Sequence, residues 1–247
     1  MTWVLDLDGV VWLGDEPIPG AAEAVATLRS RGERVLFATN NSFARLADQE
    51  AKLERFGIAA HPDVLTSGMA AARLVEPGER GLVCGGPGIA EALEERGATP
   101  VRDGDADAVV VGFHRDFDYE RLRVAVRAIQ RGARLIATND DATYPTPEGP
   151  IPGGGAIVAA VAYAGGVRPV VAGKPHAPMA DLVREVGGET GTVVGDRPET
   201  DGAFARTLGY RFALVLSGVT READLPVEPA PDAVAPSLAA LVGGGPP

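Results

Sequence analysis

Residues 4–12 read VLDLDGVVW, an apolar run that ends in two aspartates one residue apart, then a glycine, then a second apolar run. Short runs of Val and Leu bounded by turn residues read as buried strands, so a first strand is expected from Trp3 to Leu7. Along a strand, residues i and i+2 point to the same face. Asp6 and Asp8 therefore converge where the strand stops and Gly9 lets the chain turn. Two unit charges about 4 Å apart repel by ~4 kcal/mol at an effective dielectric of 20, and a bound cation reverses that sign. The pair reads as part of a site for a divalent cation, and hard carboxylate oxygens suit Mg²⁺.

The same alternation continues outward from this strand. A helix is expected after Pro19-Gly20, carrying Ala22, Val25, Ala26 and Leu28 and stopping near Gly32. RVLFA is a second strand ending at Thr39, and residues 43–57 form an amphipathic helix closed by Gly57. Downstream, TGTVVGD and YRFALVLSG are strands joined by the helix ETDGAFARTLG. Strands alternating with helices predict an α/β fold, a Rossmann-like core on a mostly parallel sheet.

The middle of the chain is too long for that sheet. About 135 residues separate Thr39 from Lys174, against roughly 30 for one strand–helix–strand unit. A second α/β series lies inside, through GLVCGG, IAEALEERG, DAVVVGF, YERLRVAVRAIQRG and ARLIATN. Glycine and proline near Glu76 and Gly165 mark hinges. The expected organisation is a core, residues 1–77 and 169–247, with an inserted α/β domain, residues 78–168. VEPAPDAVAP is expected to be a proline-rich connection and GGGPP a frayed tail.

Composition narrows the function classes. The 247 residues carry a formal net charge of -11 and are 45% hydrophobic but only 5% aromatic. Such acidity argues against nucleic acid or an acidic membrane surface as partner. A phosphorylated substrate would be repelled too, unless a local site reverses the field. Of 23 basic residues only Lys52 and Lys174 are lysine. The single cysteine, Cys84, excludes an internal disulfide and is expected to be a buried small hydrophobe. No apolar stretch approaches a membrane span, and Asp6 comes too early for a signal peptide. A cytoplasmic protein is the expectation.

In open parallel sheets, ligands bind beyond the carboxyl ends of the strands. Thr39-Asn40-Asn41-Ser42 follow the second strand, Lys174 follows PVVAG and Asp196 follows TVVG. With Asp6 and Asp8, four strand ends are expected to deliver polar side chains to one rim.

These segments carry a resemblance. DLDGV resembles the first motif, D-x-D-G-[TV], of the haloacid dehalogenase superfamily. TNNS is similar to its second motif, GKP to its third and GDRPETD to its fourth, in that order. ATNDDATYPTPEGPIPGGGAI and VVAGKP resemble the subgroup that includes p-nitrophenyl, phosphoglycolate and pyridoxal phosphate phosphatases. The resemblance implies a Mg²⁺-dependent phosphatase acting on a small phosphorylated metabolite. It implies Asp6 as nucleophile, forming an aspartyl-phosphate, and Asp8 as general acid and then base. Thr39 and Asn40 would donate to phosphoryl oxygens, and Asn41 would do the same or position the substrate. Lys174 would neutralise charge on the phosphoryl group and Asp6. Asp196 would complete the metal site with the Asp6 carboxylate and the Asp8 carbonyl, and Asp201 would be a direct ligand or stand behind one.

The interval from Asp8 to Thr39 holds only one helix, which leaves the cap to the later insertion. There Tyr144 and residues 139–141 are the expected reading elements, and the resemblance implies a homodimer through the cap. A phosphomutase is the rival enzyme, disfavoured because mutases of this superfamily usually carry a small cap in the first interval. A phosphate-binding or scaffolding module with vestigial activity is the rival outside enzymes. The G-G-P-G at Gly85 lacks the G-K-[ST] of a phosphate loop and reads as a tight turn. His61, His114 and His176 show no metal-ligand spacing.

Overall fold

The computed structural model describes residues 1–144 and 149–244. Pro145 of the expected reading segment and the last three residues of the GGGPP tail lie outside them. The chain opens with β1 (Thr2–Leu5), the short hairpin β2 (Trp12–Leu13) and β3 (Glu16–Pro17), α1 (Ala21–Ser30), β4 (Arg34–Thr39), α2 (Leu46–Arg55) and β5 (Val64–Thr66). There follow α3 (Ser67–Ala72), β6 (Arg80–Cys84), α4 (Pro87–Glu95), β7 (Thr99–Val101), β8 (Ala108–Val111), α5 (Tyr119–Gln130) and β9 (Arg134–Ala137). The hairpin β10 (Thr143–Tyr144) and β11 (Ile151–Pro152), α6 (Gly154–Gly165) and β12 (Val170–Val171) complete the middle. The last part runs through α7 (Ala177–Gly187), β13 (Gly191–Gly195), a wide π-type turn (Pro198–Gly202), α8 (Ala203–Leu208), β14 (Arg211–Val215), β15 (Ala233–Ala235) and α9 (Leu238–Gly243).

Contacts divide the chain into two compact units. The first comprises Met1–Thr39, Ala47–Leu65 and Lys174–Pro247; the second comprises Asn40–Leu46 and Thr66–Gly173. The expected borders, after residue 77 and after residue 168, therefore differ from those observed. One reason is α3, whose small residues Ser67, Gly68, Ala70 and Ala71 are buried and which packs on α4 inside the second unit. The other is β12, which pairs with β9 in register Val170–Ile136 and Val171–Ala137 and holds the chain in the second unit to Gly173.

Each unit is built on its own sheet. The first sheet has six strands in the order β15-β14-β13-β1-β4-β5, and β1 is parallel to both β13 and β4. All four residues of β1 are buried, as are all five of β13. Continuous apolar runs of this kind are what a parallel sheet covered on both faces requires. The second sheet has five strands in the order β12-β9-β8-β6-β7, with parallel pairing throughout. Its core includes Leu82, Val109, Leu135, Ile129 and Val161, and Cys84 is buried among them as expected.

The order of the first sheet reverses at β1. The chain moves through α1 to β4 on one side and later returns to β13 on the other. That is the switch point where a doubly wound sheet leaves a crevice for ligand. Register sets what stands there. Leu5 pairs with Val194, and the N–H of Asp6 donates to the Val194 carbonyl at 2.9 Å. The residues that step off the two strand ends, Asp6 and Asp196, are thus neighbours by construction.

Candidate active site

Carboxylate oxygens of Asp6, Asp196 and Asp201 lie within 4.8 Å of one another. Asp196 leaves β13 at its buried tip, while the π-type turn brings Asp201 back over the same strand end. Asp196 is only 1% exposed. Its Oδ2 accepts the Val219 N–H at 2.6 Å, and its carbonyl accepts the Thr220 hydroxyl at 2.6 Å. Its Oδ1 is buried with no hydrogen-bond partner among the described residues. A Cβ added at Gly9 or Gly218 would land on this carboxylate, so two bare backbones form its walls. Gly9 is also held at φ 85°, a conformation open to glycine. Buried charged oxygens are normally satisfied. Three convergent carboxylates, one with an oxygen that no described residue serves, fit a divalent cation.

Lys174 supplies the positive charge. Its Nζ donates to Asp6 Oδ1 and to Asp201 Oδ1, each at 2.8 Å, from a side chain only 3% exposed. Burial opposes the ammonium charge, but Asp201 and Asp6 outweigh it and raise the Lys174 pKa. Burial likewise pushes the Asp6 carboxyl well above the usual carboxylate range; Lys174 pulls it back, while Asp201 and Asp196 push it further. For Asp196, burial and then the Asp201 charge raise the pKa to about 7. Asp201 spends its other oxygen on the Arg197 N–H at 3.2 Å. It thus holds both Lys174 and the turn that carries it, a role the spacing of GDRPETD did not disclose.

Asp8 stands apart from this cluster. Its Oδ1 accepts the indole N–H of Trp12 at 3.0 Å. Burial raises its pKa, with the Trp12 hydrogen bond as the main opposing influence. Burial thus favours the protonated form of this carboxyl, the form a proton donor needs.

Two corrections to the expected rim follow. The strand before Lys174 belongs to the second sheet, because Val170 and Val171 bond to β9; three ends of the first sheet, not four, carry site residues. Thr39 ends β4 and is buried, as the sequence suggests, but Asn40 and Asn41 open the segment that belongs to the second unit. There, one amide hydrogen of Asn40 goes to Asp141 Oδ2 at 3.0 Å. Asn41 Oδ1 accepts the N–H groups of Phe43 and Ala44 at 3.0 and 3.4 Å, a local turn. Asn139 is buried and donates to the Asn40 carbonyl at 2.8 Å. Tyr144 stacks on Phe113, centroids 5.5 Å apart, and Phe113 meets the edge of Phe43. Sequence reasoning singled out Tyr144 but missed its row with Phe113 and Phe43 and the hydrogen bond of Trp12, since none of these stands at a regular spacing.

Comparison with known proteins agrees with the geometry. Residues 3–99 match the family described as haloacid dehalogenase-like hydrolase, and residues 171–241 match its companion description, HAD-hydrolase-like. The chain is 38% identical over 226 residues to the 5'-nucleotidase YutF of Bacillus subtilis, covering 89% of this chain and 88% of that one. The p-nitrophenyl phosphatase from Archaeoglobus fulgidus superposes with a TM-score of 0.92 at 32% identity, over 99% of this chain and 98% of that one. The glycerol phosphate phosphatase from Mycobacterium tuberculosis, in complex with magnesium, superposes at 0.89 with 35% identity, over 97% and 75% of the respective chains. With sheet order, carboxylate cluster and these matches in agreement, this chain belongs to the haloacid dehalogenase-like hydrolases and is a phosphatase of that family.

Proposed function

We propose that the protein hydrolyses a small phosphomonoester in two steps through an aspartyl-phosphate on Asp6. In the first step an Asp6 oxygen forms a bond to phosphorus as the bond to the leaving oxygen breaks, and Asp8 gives its proton to that oxygen. In the second, Asp8 takes a proton from water as the water oxygen bonds to phosphorus and the Asp6–phosphorus bond breaks. Phosphate and free Asp6 result, with Asp8 protonated again. Lys174, fixed between Asp6 and Asp201, offsets charge on the phosphoryl oxygens. Thr39 and Asn40 are the assigned donors to those oxygens.

Asp6, Asp196 and the Asp8 carbonyl would hold Mg²⁺, with Asp201 behind them. The ion suits a site of few carboxylates that leaves positions for water and phosphate, and it supplies charge neutralisation that an acidic chain otherwise lacks. The observation that carries this reading is the convergence of the Asp6, Asp196 and Asp201 carboxylates, the last two buried, with Lys174 bridging Asp6 and Asp201. Asp6→Asn should abolish turnover of p-nitrophenyl phosphate without unfolding the chain; substantial residual turnover removes Asp6 as nucleophile. Removal of divalent ions by a chelator should stop turnover, and Mg²⁺ should restore it.

Choice of leaving group is assigned to the inserted unit, with Tyr144 and Asp141 as its reading residues. The relatives named above are a 5'-nucleotidase, a p-nitrophenyl phosphatase and a glycerol phosphate phosphatase, which supports a small phosphorylated substrate. Comparing kcat/KM across such a panel identifies it. A cytoplasmic location belongs to the same proposal. Among the described residues no helix is long and apolar enough to cross a membrane. A homodimer through the inserted unit is also part of the proposal. Its α6 carries no charged residue and exposes Tyr163, 92% open, with Val167 and Val170 nearby in sequence and also exposed. Two chains of charge -11 meet with least repulsion on an uncharged face. Sedimentation should show a dimer that Tyr163→Glu splits.

A further inference from the structure

Trp12 is a buried aromatic whose polar atom has, among the described residues, a single destination. It is 2% exposed, and its indole N–H points at Asp8 Oδ1, 3.0 Å away. An indole nitrogen only donates, so it pairs with an accepting oxygen in every protonation state of its partner. When Asp8 is protonated, the accepting oxygen Oδ1 keeps the carbonyl character and the proton resides on Oδ2. One hydrogen bond thus fixes both the plane of the carboxyl group and which of its oxygens exchanges the proton.

The indole itself is locked from several sides. Its backbone N–H donates to the Leu7 carbonyl at 3.1 Å, and its carbonyl accepts the Gly9 N–H at 2.7 Å. These bonds tie Trp12 to the turn that carries Asp8. Phe56, in the turn just after α2, packs against the ring, centroids 6.0 Å apart at 58°. Over the ring sits the ammonium of Lys52, 4.4 Å from the centroid. Lys52 also donates to the Gly14 carbonyl at 2.6 Å and pairs with Asp15 at 3.6 Å, closing the tip of the β2–β3 hairpin. One of the two lysines in the chain is therefore committed to holding this tryptophan and its hairpin.

From this geometry we propose that Trp12, braced by Lys52 and Phe56, is the positioning residue for proton transfer by Asp8, aiming Oδ2 at the leaving oxygen. The proposal rests on Asp8 as general acid in the reading above. A group that aims an acid matters in proportion to how much the leaving oxygen needs the proton. General acid catalysis contributes about 10²–10⁴-fold, and a misplacement of about 1 Å can cost 10²-fold. Phenolate, whose conjugate acid has a pKa of about 10 like a tyrosine side chain, needs the proton. p-Nitrophenolate, stabilised by its nitro group, leaves largely without it.

The test compares kcat/KM for phenyl phosphate and p-nitrophenyl phosphate, a ratio that reports steps through departure of the leaving group. Trp12→Phe keeps the buried ring and removes the N–H. It should cost about 10- to 100-fold on phenyl phosphate and no more than about 3-fold on p-nitrophenyl phosphate. Lys52→Met should shift the ratio in the same direction by a smaller factor. Both substrates are assayed on one sample, so a reduced folded fraction cancels from the ratio, and Lys52→Met stands as the second variant if Trp12→Phe folds poorly. Equal losses on the two substrates, or none, overturn the proposal. Asp8→Asn separates this from failure of the underlying reading. If that variant loses rate equally on both substrates, Asp8 is not the acid; if it discriminates and Trp12→Phe does not, only the positioning role is lost.

Discussion

Asp196 combines an oxygen bound by the Val219 N–H, an oxygen with no partner among the described residues, and a pKa raised to about 7. An ordinary aspartate titrates near 3.9. Between about pH 4 and pH 7, therefore, the folded chain without a cation holds a proton that the unfolded chain has released. Stability from this group is present below pH 4 and is lost as pH rises through 7, with a slope of up to ~1.4 kcal/mol per pH unit. A divalent cation must displace the same proton, so its affinity should climb toward pH 7 and level off above it. We expect the rise in Tm caused by Mg²⁺ to grow from pH 5 to pH 7 in the native chain and to lose that growth in Asp196→Asn. A Mg²⁺-induced shift independent of pH would contradict the assignment. Lys174 is the reverse case, a buried cation between two carboxylates. Lys174→Met should cost about 3–5 kcal/mol in urea unfolding, the usual penalty for stranding buried charges, along with at least about a hundredfold in turnover. Asp6, Asp8, Lys174 and Asp196 were all visible as polar residues just past apolar runs. Trp12 was not, because an aromatic after a strand reads as core until its N–H is seen to have one acceptor.

At the scale of elements, the site is a product of register more than of any single helix or strand. β1 and β13 end level with one another, and the backbones at Gly9 and Gly218 close on the carboxylate that β13 delivers. Gly9→Ala and Gly218→Ala should each push Asp196 aside. Both are expected to keep the circular dichroism of the sheet while abolishing the Mg²⁺-dependent rise in Tm; an unchanged rise would show that the walls are not needed. The long elements were legible, since β1, β4, β13 and β14 are apolar runs and α5 is strongly amphipathic. Short ones were not. β15 lies inside VEPAPDAVAP, which reads as a connection, and its three residues are too few to show alternation before they pair with β14. The helix expected over ETDGAFARTLG is split, because a wide turn is needed to bring Asp201 back to Lys174 before α8 can begin.

Over the whole molecule, two sheets of parallel strands arise from one chain, and the excess of length between Thr39 and Lys174 was enough to announce the second. Its borders were not, because α3 and β12 join their unit through packing and pairing that glycine and proline do not mark. The net charge of -11 acts at this scale too. A phosphate dianion approaches against a field whose screening length falls from about 30 Å at 0.01 M salt to about 8 Å at 0.15 M. At fixed Mg²⁺ activity, kcat/KM should therefore rise, by about twofold or more, between 10 and 150 mM NaCl; a fall would mean that the cationic spot around Lys174 governs the encounter. The scarcity of lysine has a practical corollary. Lys174 is 3% exposed and salt-bridged, and Lys52 is 18% exposed beneath its own hydrogen bonds. Reagents that acylate side-chain amines will find Lys174 hidden and Lys52 only partly accessible in the folded chain, so slow modification of Lys174 becomes a clock for opening of the first unit.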